Sequence, residues 1–255
     1  MTGKLILLPA LGATRLLFEA QRHVLSERLF LPDWPAPLET VVDGGRAVPE
    51  SLRDYARRWA DRFLQTVLSS DEAKRGCWIG GVASGGALAL EAARKLVEEG
   101  APPRGVFLIA SARASSAMPG TLRWQAMALR LANDNVARML MMRLYERVAR
   151  REGLSELDAR LLVRMVEGVD LRHLRWGVRA AAEWSFGEKE LRELTGAGVA
   201  IHQIHGDADW TFRLVRGHAD RVIRGGKHLI NMTHAEEVNA YLEARMAGDV
   251  AVEDG

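Results

Sequence analysis

The 255-residue chain has little cysteine, little lysine and no long apolar run. Its one cysteine, Cys77, excludes an intrachain disulfide and a metal site built from several cysteines. Cys77 stands inside an apolar stretch, where a small buried core residue is the expected role. The apolar runs fall well short of the ~20 residues that a membrane-spanning helix needs, so no membrane span is predicted.

Blocks of like charge are absent as well. The 35 lysine and arginine residues nearly balance the 33 aspartate and glutamate residues, which leaves a formal net charge of +2. Binding to nucleic acid usually requires a concentrated basic stripe, so these interspersed charges predict solvated helix faces and no nucleic-acid partner. The apolar start "KLILLP" is short for a secretion signal and indicates a first strand, so we expect a cytoplasmic location.

The sequence does contain a regular alternation of short apolar runs with helical patterns. Strands are predicted at 4–8, 27–34, 76–82, 105–111 and 199–206, with a last short strand or a loop at 228–232. Helices are predicted at 51–68, 87–100 and 235–247, the first with a capping box at Ser51 and Asp54. Such alternation favours an α/β fold, with a mostly parallel doubly wound sheet and helices on both faces.

One stretch interrupts this alternation. Residues 115–194 carry helical patterns without a convincing strand, and they hold six of the nine methionines. We expect a helical insertion that forms a lid over an apolar ligand at the carboxyl ends of the strands, although an ordinary helical core explains the methionines equally well. The predicted organisation is a core of 1–114 and 195–250, the insertion at 115–194 and a disordered tail at 251–255.

The stretch "WIGGVASGGALAL" joins a predicted strand to a predicted helix through a glycine-rich turn. Gly81 and Gly85 flank Ala83 with the spacing G-x-S-x-G, in which a sharp, strained turn needs small residues two places before and after its apex. If Ser84 were the apex, the β-branched Val82 would stand two places before it, where a small residue is needed. The apex is therefore predicted at Ala83, with a positive φ. No Gly-Lys-Ser/Thr follows, which disfavours a phosphate-binding loop.

This turn resembles the nucleophile turn of the α/β-hydrolase-fold superfamily with a helical lid, and the resemblance extends over nearly the whole chain. Members of the superfamily often have a serine where this chain has Ala83. The resemblance implies a serine hydrolase of the carboxylesterase or acyl-hydrolase type. Such an enzyme acts on a small-molecule ester or acyl substrate and needs neither a cofactor nor a metal.

Two further loops resemble the superfamily's catalytic loops, in its chain order of nucleophile, acid and histidine. The stretch "HGDADWT" has Asp209 at the acid position, with Asp207 as a turn residue. The stretch "RGGKHLINMTHA" has His228 at the histidine position, whereas His234 is expected to cap or pack against the next helix. Other histidines have no matching context: His202, His205 and His218.

The loop after the first strand, "LLPALGAT", resembles the loop that gives the oxyanion hole one of its backbone N–H groups. By that match the two donors are the N–H groups of Leu11 and Ser84, and the side chain of Ser84 is expected to point away from the site. The chain departs from the pattern here, since it has "PALG" where many members have "HG-x-G".

Ala83 itself cannot be a nucleophile, because a methyl group has neither a proton to give nor a lone pair. Loss of a serine nucleophile lowers kcat by about 10⁶-fold. The replacement fits an engineered change or a natural one, and the retained Asp209 and His228 favour an engineered change or a recent loss. The alternative function is a non-catalytic pseudo-hydrolase that binds a small apolar or ester-like ligand under the lid. Activity through Ser84 is the least favoured interpretation.

Overall fold

The structure is a computed structural model that describes residues 3–33, 36–43, 46–66, 76–215 and 217–248. Its strands are β1 (Leu5–Leu8), β2 (Leu29–Phe30), β3 (Val41–Asp43), β4 (Arg46–Val48), β5 (Trp78–Val82), β6 (Gly105–Ile109), β7 (Ala200–Gly206) and β8 (Arg221–Ile223). Its helices are α1 (Glu19–Leu25), α2 (Leu52–Thr66), α3 (Ser84–Glu98), α4 (Leu122–Leu131), α5 (Asp134–Glu152), α6 (Glu156–Glu167), α7 (Leu171–Glu183), α8 (Glu188–Gly196), α9 (Ile230–Thr233) and α10 (Ala235–Gly248). Short 3-10 turns lie at Arg15–Phe18, Ser26–Arg28 and Ser115–Ala117.

Six of the described strands form one parallel sheet in the order β2-β1-β5-β6-β7-β8. Strands β3 and β4 form a separate antiparallel pair. Because all six strands run the same way, the residues that follow β1, β5, β7 and β8 emerge at one edge of the sheet. The predicted α/β class with a parallel sheet is confirmed.

Both faces of the sheet are buried, as the unbroken apolar strands predict. Leu5 and Leu7 of β1 lie in one core cluster with α1 and α10. Ile6 and Leu8 of the same strand lie in the other cluster, with α2 and α3. Helices therefore cover both faces. Cys77 is buried at the border of β5, in the second of these clusters.

Local signals place most of the predicted elements correctly. Helix α2 begins at Leu52, where the Asp54 N–H donates to the Ser51 hydroxyl at 3.1 Å, as the predicted capping box requires. The predicted strand at 27–34 shortens to Leu29–Phe30, consistent with the chain-breaking effect of Pro32.

The prediction for residues 228–232 was wrong, because this apolar stretch is neither a strand nor simply a loop. It contains the short helix α9, and Ile230 is fully buried. Short apolar runs cannot distinguish a strand from a buried helical turn. The last strand is β8, which the sequence analysis missed because Arg221 and Val222 are exposed at the sheet edge. The predicted disordered tail at 251–255 lies outside the described residues.

Between β6 and β7 every described element is helical. Helices α5 and α7 reach the loop that follows β1. The Tyr145 hydroxyl donates to the Gly12 carbonyl at 2.7 Å, and Gly177 packs so closely on Leu11 that an added Cβ would lie 2.2 Å from its Cδ2. Helix α8 packs instead beside α3, where Arg94 pairs with Glu193 at 3.1 Å.

Two tryptophans, one in α7 and one directly after it, bind the core through their indole N–H groups. The Trp176 indole N–H donates to the Glu50 carbonyl at 2.8 Å. The Trp184 indole N–H donates to the buried Glu91 carboxylate at 3.0 Å. No helix in the described parts of the chain has the length and apolar character needed to cross a membrane.

Candidate functional site

The turn between β5 and α3 is strained at Ala83, which has φ 53° and ψ −123°. This is an uncommon conformation for a residue with a side chain. The flanking glycines make the turn possible: a Cβ on Gly81 would lie 2.2 Å from the Gly85 carbonyl carbon, and one on Gly85 would lie 2.2 Å from the Leu8 oxygen. The apex of the turn is thus at Ala83 and not at Ser84, as the glycine spacing predicts.

Hydrogen bonds hold the strained residue from both sides. The Ala83 N–H donates to the Ile109 carbonyl at 3.0 Å, and the Ser111 hydroxyl donates to the Ala83 carbonyl at 2.5 Å. Strain of this kind costs about 1–3 kcal/mol and persists only where the surroundings enforce it. Ser111 lies two residues after the end of β6, and its position as the first polar residue after a buried strand was the available sequence signal.

The structure brings Asp209 and His228 together although they follow different strands. His228 Nδ1 lies 3.0 Å from Asp209 Oδ2, and the carboxylate is buried. The Phe212 ring stacks on the imidazole, with ring centroids 5.4 Å apart and planes 3° from parallel. The carboxylate and the aromatic ring together fix the orientation of the His228 ring.

The other oxygen of Asp209 binds its own loop. Oδ1 accepts from the N–H groups of Thr211 at 2.7 Å and Phe212 at 2.9 Å, which sets the path of the chain after β7. Asp207 has the turn role predicted for it, since its carboxylate accepts from the Gly225 N–H at 2.6 Å.

A second, fully buried histidine supports Asp209. His205 Nε2 lies 2.8 Å from the Phe212 carbonyl, which can only accept, so this nitrogen carries the proton. The same nitrogen is 3.4 Å from Asp209 Oδ2. Burial alone raises the pKa of Asp209, but hydrogen bonds from His205, His228 and the Phe212 N–H outweigh it and hold that pKa well below its usual range. His205 was not among the predicted site residues, and its only sequence signal is its place four residues before Asp209.

The predicted oxyanion loop follows β1 at the same edge of the sheet. The Leu11 N–H donates to the Ser84 hydroxyl at 2.9 Å. Only the backbone N–H of Ser84 was predicted to belong to this site, and its side chain was expected to point away. The structure instead directs the hydroxyl at the other predicted donor. The two predicted donor residues are therefore adjacent, and one N–H is already engaged.

Comparison with protein-family models gave no match, and comparison with curated protein sequences gave none. The structure is nevertheless similar to many solved structures. An esterase from Thermogutta terrifontis has a TM-score of 0.68 and 17% identity, over 97% of this chain and 91% of that one. An enol-lactonase from Burkholderia xenovorans has a TM-score of 0.66 and 15% identity, over 96% and 91%. A structure from a study of the carboxylesterases of Nitrososphaera gargenis has a TM-score of 0.67 and 12% identity, over 100% of this chain and 92% of that one.

This chain has the α/β-hydrolase fold. The similarity extends over nearly the full length of both chains in each case. At these identities the likeness establishes the fold and not the activity.

A cavity of about 460 Å³ adjoins the loop that follows β1. Leu11 and Gly12 line one side, and Val169, His173 and Leu174 line the other, from α7 and the loop before it. Ala83 is not among the lining residues, and only 3% of it is exposed. The cavity therefore lies beside Leu11.

The site has no evident arrangement for a metal ion. Within the described ranges, no group of three or more His, Cys, Asp and Glu side chains is placed to hold one. Asp209 is engaged by two histidines and two backbone N–H groups, which leaves its oxygens satisfied by the protein itself.

Proposed function

We propose that the chain is a serine ester hydrolase scaffold, of the carboxylesterase or acyl-hydrolase type, in which Ala83 stands at the nucleophile position. The observation that carries the proposal is the 3.0 Å contact between His228 and Asp209. It lies at the sheet edge where the strained turn at Ala83 also lies. A buried acid that holds a histidine by one nitrogen leaves the other nitrogen for a nucleophile.

The proposal gives each of these residues a role. Asp209 accepts the Nδ1–H of His228 and thereby keeps Nε2 of the ring as the base. With a serine at position 83, Nε2 would take the hydroxyl proton while the serine oxygen bonds to the ester carbonyl carbon. The carbonyl oxygen becomes an oxyanion, which the backbone N–H groups of Leu11 and Ser84 stabilise.

Three features support an ester as the substrate class. The predicted oxyanion donors, Leu11 and Ser84, are in direct contact. The turn holds residue 83 in a strained conformation, although the methyl group of alanine has no catalytic use for that position. Proteins named as an esterase and an enol-lactonase share the fold over most of their length.

The test is to compare the unmodified chain with Ala83→Ser on short p-nitrophenyl esters. We expect Ala83→Ser to raise hydrolysis at least about 100-fold, because a serine nucleophile contributes far more than that to such enzymes. Adding His228→Ala should abolish the gain. Unchanged hydrolysis by Ala83→Ser across a broad panel of esters would refute the proposal.

A second candidate function is a pseudo-hydrolase that binds a small apolar or ester-like ligand without chemistry. The cavity beside Leu11 favours it, since about 460 Å³ falls within the range of small-molecule sites. Thermal-shift titrations of the unmodified chain with short esters and acyl amides test this candidate. A rise in Tm together with an inactive Ala83→Ser variant would favour binding over catalysis.

A further inference from the structure

The last residue of α5 is a buried carboxylate with two specific partners. Only 5% of Glu152 is exposed. One oxygen accepts from the Trp210 indole N–H at 3.1 Å, and the other accepts from the Leu229 backbone N–H at 2.9 Å. A buried carboxylate is costly unless such donors satisfy it, so this arrangement depends on both partners.

The two partners of Glu152 are the immediate neighbours of the proposed catalytic pair. Trp210 follows Asp209, and Leu229 follows His228. The Glu152 carboxylate therefore binds both Trp210, which follows the proposed acid, and Leu229, which follows the proposed base, at one point on α5.

Two further contacts join the end of α5 to the same two loops. The guanidinium of Arg151 lies over the Trp210 ring, 4.3 Å from its centroid. The Lys227 ammonium donates to the Arg151 carbonyl at 2.5 Å. The end of α5 thus holds the residues on both sides of His228.

A backbone hydrogen bond also joins these two loops nearer the strands. The Ala208 N–H donates to the Gly226 carbonyl at 2.9 Å, which joins the loops at their bases. Glu152 binds the residues that directly follow Asp209 and His228, so a shift there would change the contact between the two side chains. A misplacement of about 1 Å in such a group can lower a rate about 100-fold.

We propose that Glu152 is a positioning residue that holds Asp209 and His228 in register through Trp210 and Leu229. The helical segment between β6 and β7 then forms part of the site and does more than cover it. This inference rests on the proposed function, in which Asp209 and His228 are the acid and the base. A purely structural Glu152 would anchor α5 without affecting the ring of His228.

The direct test measures the tautomer of His228 by ¹⁵N NMR in the otherwise unmodified chain, at about pH 8.5, where an ordinary imidazole is neutral. We expect the Nδ1–H tautomer to dominate in the parent and to give way to a mixture in Glu152→Ala. Glu152→Gln keeps one acceptor oxygen and should give an intermediate ratio. Glu146→Ala, on the exposed side of the same helix, is the control and should match the parent.

Kinetics in an Ala83→Ser background give the second measurement. Glu152→Ala should lower kcat about 10- to 100-fold with KM nearly unchanged, because position and not binding is lost. If Ala83→Ser is inactive, the proposed function fails, yet the tautomer ratio still decides the role of Glu152.

An unchanged tautomer ratio in folded Glu152→Ala would overturn the inference, whatever happens to its stability. Should that variant fail to fold, Trp210→Phe removes one of the two bonds and keeps a ring in place. We then expect a partial shift of the His228 tautomer in Trp210→Phe. An unchanged ratio there overturns the inference equally.

Discussion

Removing the Ser84 hydroxyl should speed hydrolysis once a serine stands at position 83. In the structure the Leu11 N–H donates to this hydroxyl at 2.9 Å, so one proposed oxyanion donor is engaged before a substrate arrives. An oxyanion can use that N–H only after the hydroxyl turns away. Ser84→Ala keeps the backbone N–H of residue 84 and frees that of Leu11.

The size of the gain follows from the bond that must break. A neutral hydrogen bond contributes about 0.5–1.5 kcal/mol net, which corresponds to about 2- to 13-fold in kcat at room temperature. Complete loss of an oxyanion donor costs about 10²–10³-fold, which sets an upper bound on the effect. We therefore expect Ala83→Ser with Ser84→Ala to exceed Ala83→Ser alone by about 2- to 13-fold.

The assay is steady-state hydrolysis of a short p-nitrophenyl ester by the two variants, with kcat and KM measured separately. Ser155→Ala in the Ala83→Ser background is the control. The Ser155 hydroxyl caps α6 by accepting from the Asp158 N–H at 3.1 Å, so its loss should cost about 1 kcal/mol of stability and leave kcat unchanged. An unchanged or lower kcat in the Ser84→Ala variant would refute the reasoning about Leu11.

Three further predictions concern the frame of the site. Gly85→Ala should destabilise the fold by about 3 kcal/mol in urea unfolding, because its Cβ would meet the Leu8 oxygen at 2.2 Å. Gly177→Ala should leave the kcat of Ala83→Ser nearly unchanged, because its Cβ would meet only the end of the Leu11 side chain, which can rotate without moving the Leu11 N–H. The lowered pKa of Asp209 adds stability that is fully present above about pH 5 and is lost as the pH falls, so the Tm values of the parent and Asp209→Asn should converge in calorimetry below that pH.

Each of these predictions has a control or a contrary outcome. Gly120→Ala adds a Cβ where nothing lies within 4 Å, so it should leave both stability and kcat unchanged. A loss of about 10-fold in kcat for Gly177→Ala would contradict this reasoning, because it would mean that the Leu11 N–H moves together with the side chain. A constant difference in Tm between the parent and Asp209→Asn from pH 7 to about pH 2 would contradict the lowered pKa of Asp209.

The parts of the site predicted from sequence are those enforced by local sterics. Gly81 and Gly85 report the turn because any side chain there would collide with backbone atoms. The parallel sheet is likewise visible in its unbroken apolar strands, and its order brings the loops of Asp209 and His228 to one edge. Glycines at a fixed short spacing and runs of apolar residues can both be recognised directly in the sequence.

Contacts between residues that are far apart in the chain cannot be recognised in this way. The bond from Leu11 to Ser84 joins residues 73 positions apart, and the bond from Leu229 to Glu152 joins residues 77 apart. Neither residue type is unusual in its own segment: Glu152 ends an ordinary helix, and Ser84 begins one. The edge strand β8 was missed for a related reason, since its exposed residues carry no apolar pattern.

The proposed nucleophile position is tested most directly by fluorophosphonate labelling, with the modified residue located by mass spectrometry. We predict that Ala83→Ser is labelled on the residue at position 83 and that the unmodified chain is not labelled. Ala83→Ser with His228→Ala should lose the label, because the serine then lacks its base. Labelling of the unmodified chain at Ser84 would contradict the account, since the nucleophile would then stand one residue after the strained apex.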